Sequence, residues 1–188
     1  MATYVVGGVE KVRVAPAVFT EAAIATAAWL QIENIAEDTT QYTKNADTIT
    51  ELIPADKDVA FVTFYAPGDA DEIAIGILEQ KPAIMSLLFN TVYTAATSKT
   101  IELAKRKVAN LAIEITTRSM KDGRKQVIVL PNVRVTTTYV NALNKTAVQQ
   151  LLLTGKVGSF TTTKDSLDAI SVKTWVTDAG AAIDSTAG

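Results

Sequence analysis

The sequence predicts a mainly β protein, an antiparallel β-sandwich or partial barrel with a long hairpin and one short flanking α-helix. Threonine, whose β-branched side chain suits a pleated and half-buried surface, occurs 26 times in 188 residues. Apolar and polar residues alternate with a period of two in Val108–Thr117 and again in Val127–Val140. The segment Lys121–Arg124 joins these stretches, and its Asp-Gly pair is a strong signal for a hairpin turn.

The first predicted elements precede this hairpin. In Val9–Val14, valines are interspersed with charged residues, and a proline follows at position 16. This pattern predicts a first strand. Ala22–Ile35 predicts a short helix or a turn that leads into a strand. The polar and acidic stretch Glu37–Asp58 is either a long excursion from the sheet or a pair of exposed strands joined near Asn45.

Two further strands and one helix follow. Val59–Tyr65 and Ile73–Leu78 are β-rich and flank the turn residues Ala66–Asp69, a pattern that predicts a hairpin. In Pro82–Tyr93 the apolar residues recur at helical spacing, and Pro82 is suited to the first turn of a helix. We therefore expect one helix over this range, packed on the sheet.

The alternation also assigns the faces of the long hairpin. In its first strand one face carries Ala109, Leu111, Ile113 and Ile115. In its second strand the predicted apolar face carries Val127, Val129, Val133, Val135 and Tyr139, whereas Arg134, Thr136 and Thr138 point away. Pro131 cannot donate a ladder hydrogen bond and predicts an edge or a bulge. Leu151–Phe160 and Leu167–Val176 are predicted as further short strands.

The whole chain, residues 1–188, is predicted to form one domain, because its length suffices for a single core. We expect an extended N-terminal arm over about residues 1–8 and a C-terminal tail over about residues 178–188. The first residues lack the features of a signal peptide, and no apolar run approaches the length of a membrane-spanning helix. These features favour a protein that is made and assembled in the cytoplasm.

Charged residues are sorted by sign along the chain, although the formal net charge is only −2. Residues 33–72 hold ten acids and two bases, a net charge of −8, and residues 99–145 hold ten bases and three acids, a net charge of +7. If these blocks lie on different faces, copies attract head to tail and build rings or filaments. If the blocks are neighbours in space, they neutralise each other within one subunit. The charge pattern leaves both interpretations open.

Histidine and cysteine are absent from the sequence. Their absence excludes histidine-based triads, thiol catalysis, disulfides and the commonest zinc sites. Gly155–Ser159 lacks the spacing of a phosphate-binding loop and predicts turn glycines, and Asp69–Glu72 lacks the pattern of a calcium loop and predicts a solvated turn. We therefore expect a protein that is not an enzyme, with no catalytic, cofactor-binding or metal site.

Basic residues cluster at Lys105–Lys107 and beside the predicted turn at Lys121–Arg124. Such residues can contact a phosphate backbone, but no aromatic residues are interleaved with them and the sequence pI is about 5.2. A charge patch for protein–protein contact is the favoured interpretation.

A succession of segments resembles the major tail tube proteins of tailed bacteriophages over nearly the whole chain. None of the segments is a catalytic motif, and the resemblance depends on their order. They are Val12–Pro16, Trp29–Ile32 leading into the Thr/Glu/Asp-rich Glu37–Ile53, Ile75–Gln80, the helix from Pro82, and Val129–Val135 before the last strands.

This resemblance implies a structural virion protein that polymerises as stacked hexameric rings into the tail tube, a conduit for genome delivery into the host. Long hairpins from each subunit would close one inner barrel. The implied partners are further copies of the chain, other phage tail proteins, and genomic DNA that passes through the lumen without specific binding. No membrane insertion is implied, and the expected location is the virion tail after assembly in the host cytoplasm.

Two sets of residues are expected to serve this assembly. The candidates for the ring-stacking interface are Asp47, Glu51, Asp56, Asp58, Arg118, Lys121, Arg124 and Lys125. The candidates for the lumen are Asn110, Glu114, Thr116, Thr136 and Thr138. Arg134 shares the predicted polar face and fits a DNA conduit poorly, since a conduit should not grip phosphate.

Two alternatives stay open. One is another virion component of similar fold, such as a tail terminator, a neck protein or a capsid decoration protein. A terminator stops at one ring and a decoration protein binds a shell, whereas a tube protein polymerises indefinitely. The other is a non-viral structural or carbohydrate-binding β-domain, for which a secretion signal or an aromatic binding face would be expected; neither is evident in the sequence.

Overall fold

A computed structural model describes residues 8–36, 39–52, 62–105, 107–119, 123–140, 148–177 and 179–180. It confirms a mainly β, antiparallel fold. Its strands are β1 (Val9–Pro16), β2 (Leu30–Ile32), β3 (Gln41–Thr43), β4 (Thr48–Leu52), β5 (Val62–Ala66), β6 (Glu72–Ile77), β7 (Thr91–Thr94), β8 (Lys99–Glu102), β9 (Ala109–Thr117), β10 (Arg124–Val140), β11 (Gln150–Val157), β12 (Phe160–Thr161), β13 (Asp168–Ala169) and β14 (Val172–Thr177). The helices are α1 (Glu21–Ile24) and α2 (Pro82–Leu88), with a 3-10 turn at Ala95–Thr97.

The main sheet curls into a partial barrel. Its strand order is β2-β1-β9-β10-β11-β6-β3, and β14 pairs with the first half of β10. The chain that follows β2 returns to β6, where Ile35 and Ile77 form an antiparallel bridge and the backbone N–H of Leu78 donates to the carbonyl of Asn34 at 2.9 Å. The two sides of the sheet are thereby joined, and its inner face becomes an enclosed core.

The core fills the inside of the barrel. It combines inward-facing residues of β1, β6, β9, β10 and β11 with one face of α2, and each large aliphatic side chain buried there contributes about 1.5–3 kcal/mol. The largest fully buried members are Val12, Ile32, Ile73, Ile75, Ile77, Ile84, Leu88, Leu111, Ile113, Leu130, Leu151 and Leu153.

The predicted helix is shorter than expected. α2 begins at Pro82, as predicted, but ends at Leu88, and Val92 lies on strand β7. The Thr-Val-Tyr-Thr run of β7 consists of β-branched and aromatic residues, which lose side-chain freedom in a helix and favour a strand. The predicted helix or turn after β1 is confirmed as the single turn of α1, which leads into β2.

The predicted hairpin across Ala66–Asp69 is wrong. β5 pairs with β4, and β6 pairs with β11 and β3 in the main sheet. The alternating isoleucines of β6 are all buried, so this strand gains more from a central place in the barrel than from its neighbour in sequence. The acidic stretch does form two strands, β3 and β4, but they do not pair with each other.

The long β9–β10 hairpin is confirmed, with β10 extending over 17 residues. Gly123, at the end of its turn, has φ +72°, in the region that favours glycine. The bulge predicted at Pro131 is also confirmed, because the register with β9 shifts between Leu130 and Val133.

Because of this bulge, the apolar face predicted for β10 is wrong in the first half of the strand. An extra residue in one strand reverses which side chains point inward beyond it. Ile128 and Leu130 therefore face the core together with Val133 and Val135. Val127 and Val129, predicted to share that face, stand opposite Thr116 and Glu114 on the outer side.

The remaining strand predictions agree with the structure. β1 covers the predicted first strand, β11 and β12 the predicted Leu151–Phe160, and β13 and β14 the predicted Leu167–Val176. Gly155, predicted in a turn, instead lies within β11, where an added Cβ would meet Val133 Cγ1 at 2.7 Å. The predicted arm, up to residue 7, and the predicted tail at residues 178 and 181–188 lie outside the described residues.

Candidate channel-lining face and association surfaces

The outer side of β9, β10, β11 and β6 forms an exposed polar surface, which we call the threonine face. Successive residues of a strand point to opposite sides, so the residues between the buried core positions all lie on this face. Its members are Glu72, Asn110, Arg134, Thr136, Thr138, Thr154 and Lys156, and each of them is exposed.

The register places these side chains in rows across the strands. Arg134 stands opposite Asn110 of β9 on one side and Lys156 of β11 on the other, and Lys156 stands opposite Glu72 of β6. The next row is neutral, with the Oγ1 atoms of Thr136 and Thr154 3.2 Å apart. The seven members of the face are thus three threonines, one asparagine and three charged residues, and the charges are confined to one row.

Two open depressions lie on the threonine face. One is lined by Gln41, Glu72, Arg134, Thr136, Thr154 and Lys156, among others. The second lies beside it and is lined by Phe19, Val108, Asn110, Asn132, Arg134 and Lys156, among others. Arg134 and Lys156 border both depressions, so the charged row is accessible to a ligand from either side.

The residues predicted for the lumen separate into two groups. Asn110, Thr136 and Thr138 lie on the threonine face and are exposed. Glu114 and Thr116 point to the same side of β9, but Thr116 is half-buried and Glu114 is only 7% exposed. In this subunit Glu114 is therefore not available to line a channel.

Glu114 is held by an ion pair. The Nε of Arg13 donates to its Oε1 at 2.7 Å, and a guanidinium nitrogen of Arg13 donates to its Oε2. The ring of Trp29 covers the guanidinium group, with 5.4 Å between the carbon of that group and the ring centroid. The Trp29 indole N–H donates in turn to the carbonyl of Ile24. These contacts fasten the α1 segment over the outer side of β1 and β9.

Two of the acids predicted for ring stacking, Asp47 and Glu51, lie on or beside the β4–β5 hairpin. Asp47 precedes β4 and is exposed, and its Oδ1 accepts a hydrogen bond from the backbone N–H of Gly68 at 3.0 Å. Glu51 lies within β4 and is exposed. Asp56 and Asp58 lie outside the described residues.

Two of the predicted stacking bases, Arg118 and Lys125, contact residues at the start of β1. The Nε of Arg118 donates to the carbonyl of Val9 at 3.3 Å, and Lys125 forms an ion pair with Glu10 at 2.8 Å. The side chain of Lys125 is only 15% exposed, and Arg124 is half-buried. Lys121 lies outside the described residues. Arg118 is therefore the exposed cation among the described members of this set.

The structure describes five ion pairs, and none of these five joins the acidic block, residues 33–72, to the basic block, residues 99–145. They are Arg13–Glu114, Lys81–Glu33, Lys81–Glu79, Lys125–Glu10 and Lys156–Glu72.

Two hairpins carry large apolar side chains on their surfaces. On β4–β5, Ile49, Phe64 and Tyr65 are 57%, 58% and 74% exposed. Ile49 and Tyr65 are directly opposite each other, whereas Phe64 points to the other face. On β7–β8, Val92 and Ile101 are opposite each other and also exposed. An isolated two-stranded hairpin is marginally stable in water, and apolar surface of this kind marks association sites.

Sequence reasoning did not identify these apolar surfaces. The sequence patterns did not show that β4 and β5 pair with each other and lie outside the main sheet. A long polar and acidic segment next to a β-rich one was the available signal.

The acidic turn predicted after β5 is partly buried. Asp71 accepts hydrogen bonds from the hydroxyl of Tyr42 at 2.8 Å and from the backbone N–H of Asn45 at 3.2 Å. Burial, together with the neighbouring Asp71 carboxylate, raises the pKa of Tyr42 to about 12. Among the described residues no three acidic side chains are grouped in a way that holds a metal ion. In the same part of the chain no helix is long and apolar enough to cross a bilayer.

The sequence matches no protein-family model, and no curated protein shows significant sequence similarity to it.

Proposed function

We propose that this chain is a structural virion subunit that assembles into stacked, hexameric rings and forms the tail tube of a bacteriophage. The observation that carries the proposal is the pair of hairpins, β4–β5 and β7–β8, which expose large apolar side chains on a subunit whose own core is already enclosed. Surface of that kind is stabilised by burial against another molecule.

The threonine face supports a channel rather than a binding pocket. It spans four antiparallel strands and carries hydroxyl groups outside its single charged row. Its strand residues include no aromatic side chain on which bases would stack, although Phe19 lines one of the two depressions. Such a surface lets a polyanion pass without sequence-specific binding. In the assembled tail the lumen would hold the genome during delivery, and the tube would end on other tail proteins.

The charge distribution supports association between unlike surfaces. The acidic candidates Asp47 and Glu51 and the basic candidate Arg118 are exposed, and they lie on two different hairpins. A contact between two different surfaces repeats from copy to copy and produces rings or stacks instead of a closed dimer. Assembly of this kind takes place in the host cytoplasm, and the product resides in the virion tail.

Negative-stain electron microscopy of the concentrated protein tests the proposal. Hollow rods of uniform diameter are the expected result for the wild-type chain. The double variant F64S/Y65S removes two exposed aromatic side chains from β5 and should abolish rods while leaving the circular dichroism spectrum unchanged. L167S is the matched control, because Leu167 is 61% exposed on a different loop, and it should assemble normally.

Other outcomes would contradict the proposal. Single rings that never stack would indicate a terminator, and monomers at all concentrations would refute self-assembly. Rods that form equally well from F64S/Y65S would show that the β4–β5 hairpin is not an association surface.

A further inference from the structure

The charged row on the threonine face has an arrangement that disfavours the isolated subunit. Arg134 and Lys156 stand directly opposite each other on neighbouring strands, on the same face. Directly opposed side chains have Cβ atoms about 4.5–5.5 Å apart, and like charges at that separation are destabilising. Because the two like charges are exposed, an anionic ligand can reach them and offset their repulsion.

The neighbouring groups neutralise this pair incompletely. Lys156 Nζ lies 3.6 Å from Oε1 of Glu72, but both side chains are more than half exposed, so the attraction is weak. Among the described residues Arg134 has no ion-pair partner. The row thus holds two cations and one anion.

The chemistry around the pair matches phosphate oxygens. Asn110 stands next to Arg134 in the same row, and the row beyond is formed by the hydroxyl groups of Thr136 and Thr154. Guanidinium and ammonium groups are the main phosphate ligands, and amide and hydroxyl groups are common supplementary donors. A docked protein surface would call for an apolar centre. Apolar side chains do line the depressions, Val108 in both and Phe19 in one, but the row itself consists of charged and amide side chains.

We propose that Arg134 and Lys156 form a contact site for the phosphate backbone of nucleic acid, independent of base sequence. The contact site rests on the proposed function, because a tube subunit presents this face to the passing genome. In a ring of six subunits, the six copies of Arg134 and Lys156 would then form a belt of cations at one level of the channel. With one excess positive charge per subunit, such a belt would contact the phosphates of passing DNA and slow its movement without holding it in place.

A salt titration of DNA binding tests the contact site. The protein as purified is mixed with a fluorescently labelled 20-base-pair duplex, and anisotropy is followed from about 25 to 200 mM KCl. The observed slope of log K against log salt should fall by about 1 to 2 in R134Q/K156Q, because each lost phosphate contact reduces it by about 0.9. Affinity at the lowest salt should fall about tenfold or more.

The matched control is K99Q/K164Q. It removes the same total charge from two exposed lysines on β8 and on the loop before β13, neither of which lines the two depressions. It should retain the wild-type slope. R134Q/K156Q should also unfold at the same temperature as the wild type or higher, because it removes a like-charge contact.

Each contrary outcome is decisive. The contact site is refuted if the wild type does not bind the duplex, if both double variants lose affinity equally, or if poly-glutamate competes as well as DNA does. Electron microscopy of R134Q/K156Q separates this inference from the proposed function. Rods without DNA binding would overturn only the contact site, and DNA binding through the row by a chain that forms no rods would overturn only the tube.

Discussion

The ion pair between Arg13 and Glu114 offers a quantitative test of how the outer side of the barrel is held. Glu114 is 7% exposed, whereas the Arg13 side chain is 33% exposed. Breaking a fully buried pair costs about 3–5 kcal/mol, and the partial exposure of Arg13 lowers this, so we expect E114Q to lose about 2–3 kcal/mol of unfolding free energy. For a chain of this length that loss corresponds to a fall in Tm of about 4–12 °C.

The opposite single variant should be more damaging. R13M leaves the carboxylate of Glu114 buried without its partner and also removes the cation beneath Trp29, so we expect a loss of about 3–5 kcal/mol. The double variant R13M/E114L replaces the pair with apolar groups and should recover to within about 1 kcal/mol of the wild type. The single variant E114L, together with R13M and R13M/E114L, completes a double-mutant cycle.

Urea unfolding followed by tryptophan fluorescence is the assay, since Trp29 lies on the Arg13 guanidinium. The control pair is Lys156–Glu72, which also joins a glutamate to a basic side chain but does so in an exposed setting, with a separation of 3.6 Å. E72Q should change the unfolding free energy by less than about 0.5 kcal/mol. Equal losses in E114Q and E72Q would refute the claim that burial makes the Arg13–Glu114 pair structural.

Three further predictions address packing, pH and assembly. G155V should lower stability by about 1–3 kcal/mol in thermal unfolding, because an added Cβ already meets Val133 and Val135 at 2.7 and 2.8 Å; unchanged Tm would contradict this. The wild type should lose stability as pH rises from about 10 towards 12, because the folded chain retains the Tyr42 proton that the unfolded chain releases; Y42F should flatten that part of the curve, and an identical profile would contradict the assignment. E51K should shorten or abolish rods in electron micrographs while the matched charge reversal D168K does not, since Glu51 lies on the association hairpin; equal effects would show that only net charge matters.

Local patterns predicted those parts of the fold that depend on nearby residues. The alternation in β9 and β10, the Asp-Gly turn and the break at Pro131 were sufficient for the long hairpin, because register and turn chemistry are set within it. The start of α2 was predicted for the same reason, since Pro82 favours the first turn of a helix.

Long-range pairing was not predictable in the same way. β6 follows β5 in sequence, yet its register is set by β11, whose partner residues lie more than 70 positions away. The return of the chain at Ile35 to Ile77 depends on the shape of the whole sheet. No pattern within a short window specifies such a contact.

The candidate site was predicted in part, for a physical reason. Asn110, Thr136 and Thr138 were assigned to the correct side because they lie on the β9–β10 hairpin beyond the bulge. Glu114 was assigned to the correct side of β9, but its burial is due to Arg13 and Trp29 from elsewhere in the chain. Lys156 was missed as a partner of Arg134, because the pairing of β10 with β11 spans a gap in sequence.

The return of the chain to β6 at Ile35 also has a consequence for the order of events during biogenesis. β3 pairs with β6 at Glu72–Ala74, so until the bridge forms the Ile77 end of that edge has no partner strand and is a template for irregular addition of other chains. Once it forms, the β4–β5 and β7–β8 hairpins still expose large apolar side chains for association. We therefore expect folding to precede polymerisation, and a nascent chain stalled before this step to yield amorphous deposits in place of ordered particles.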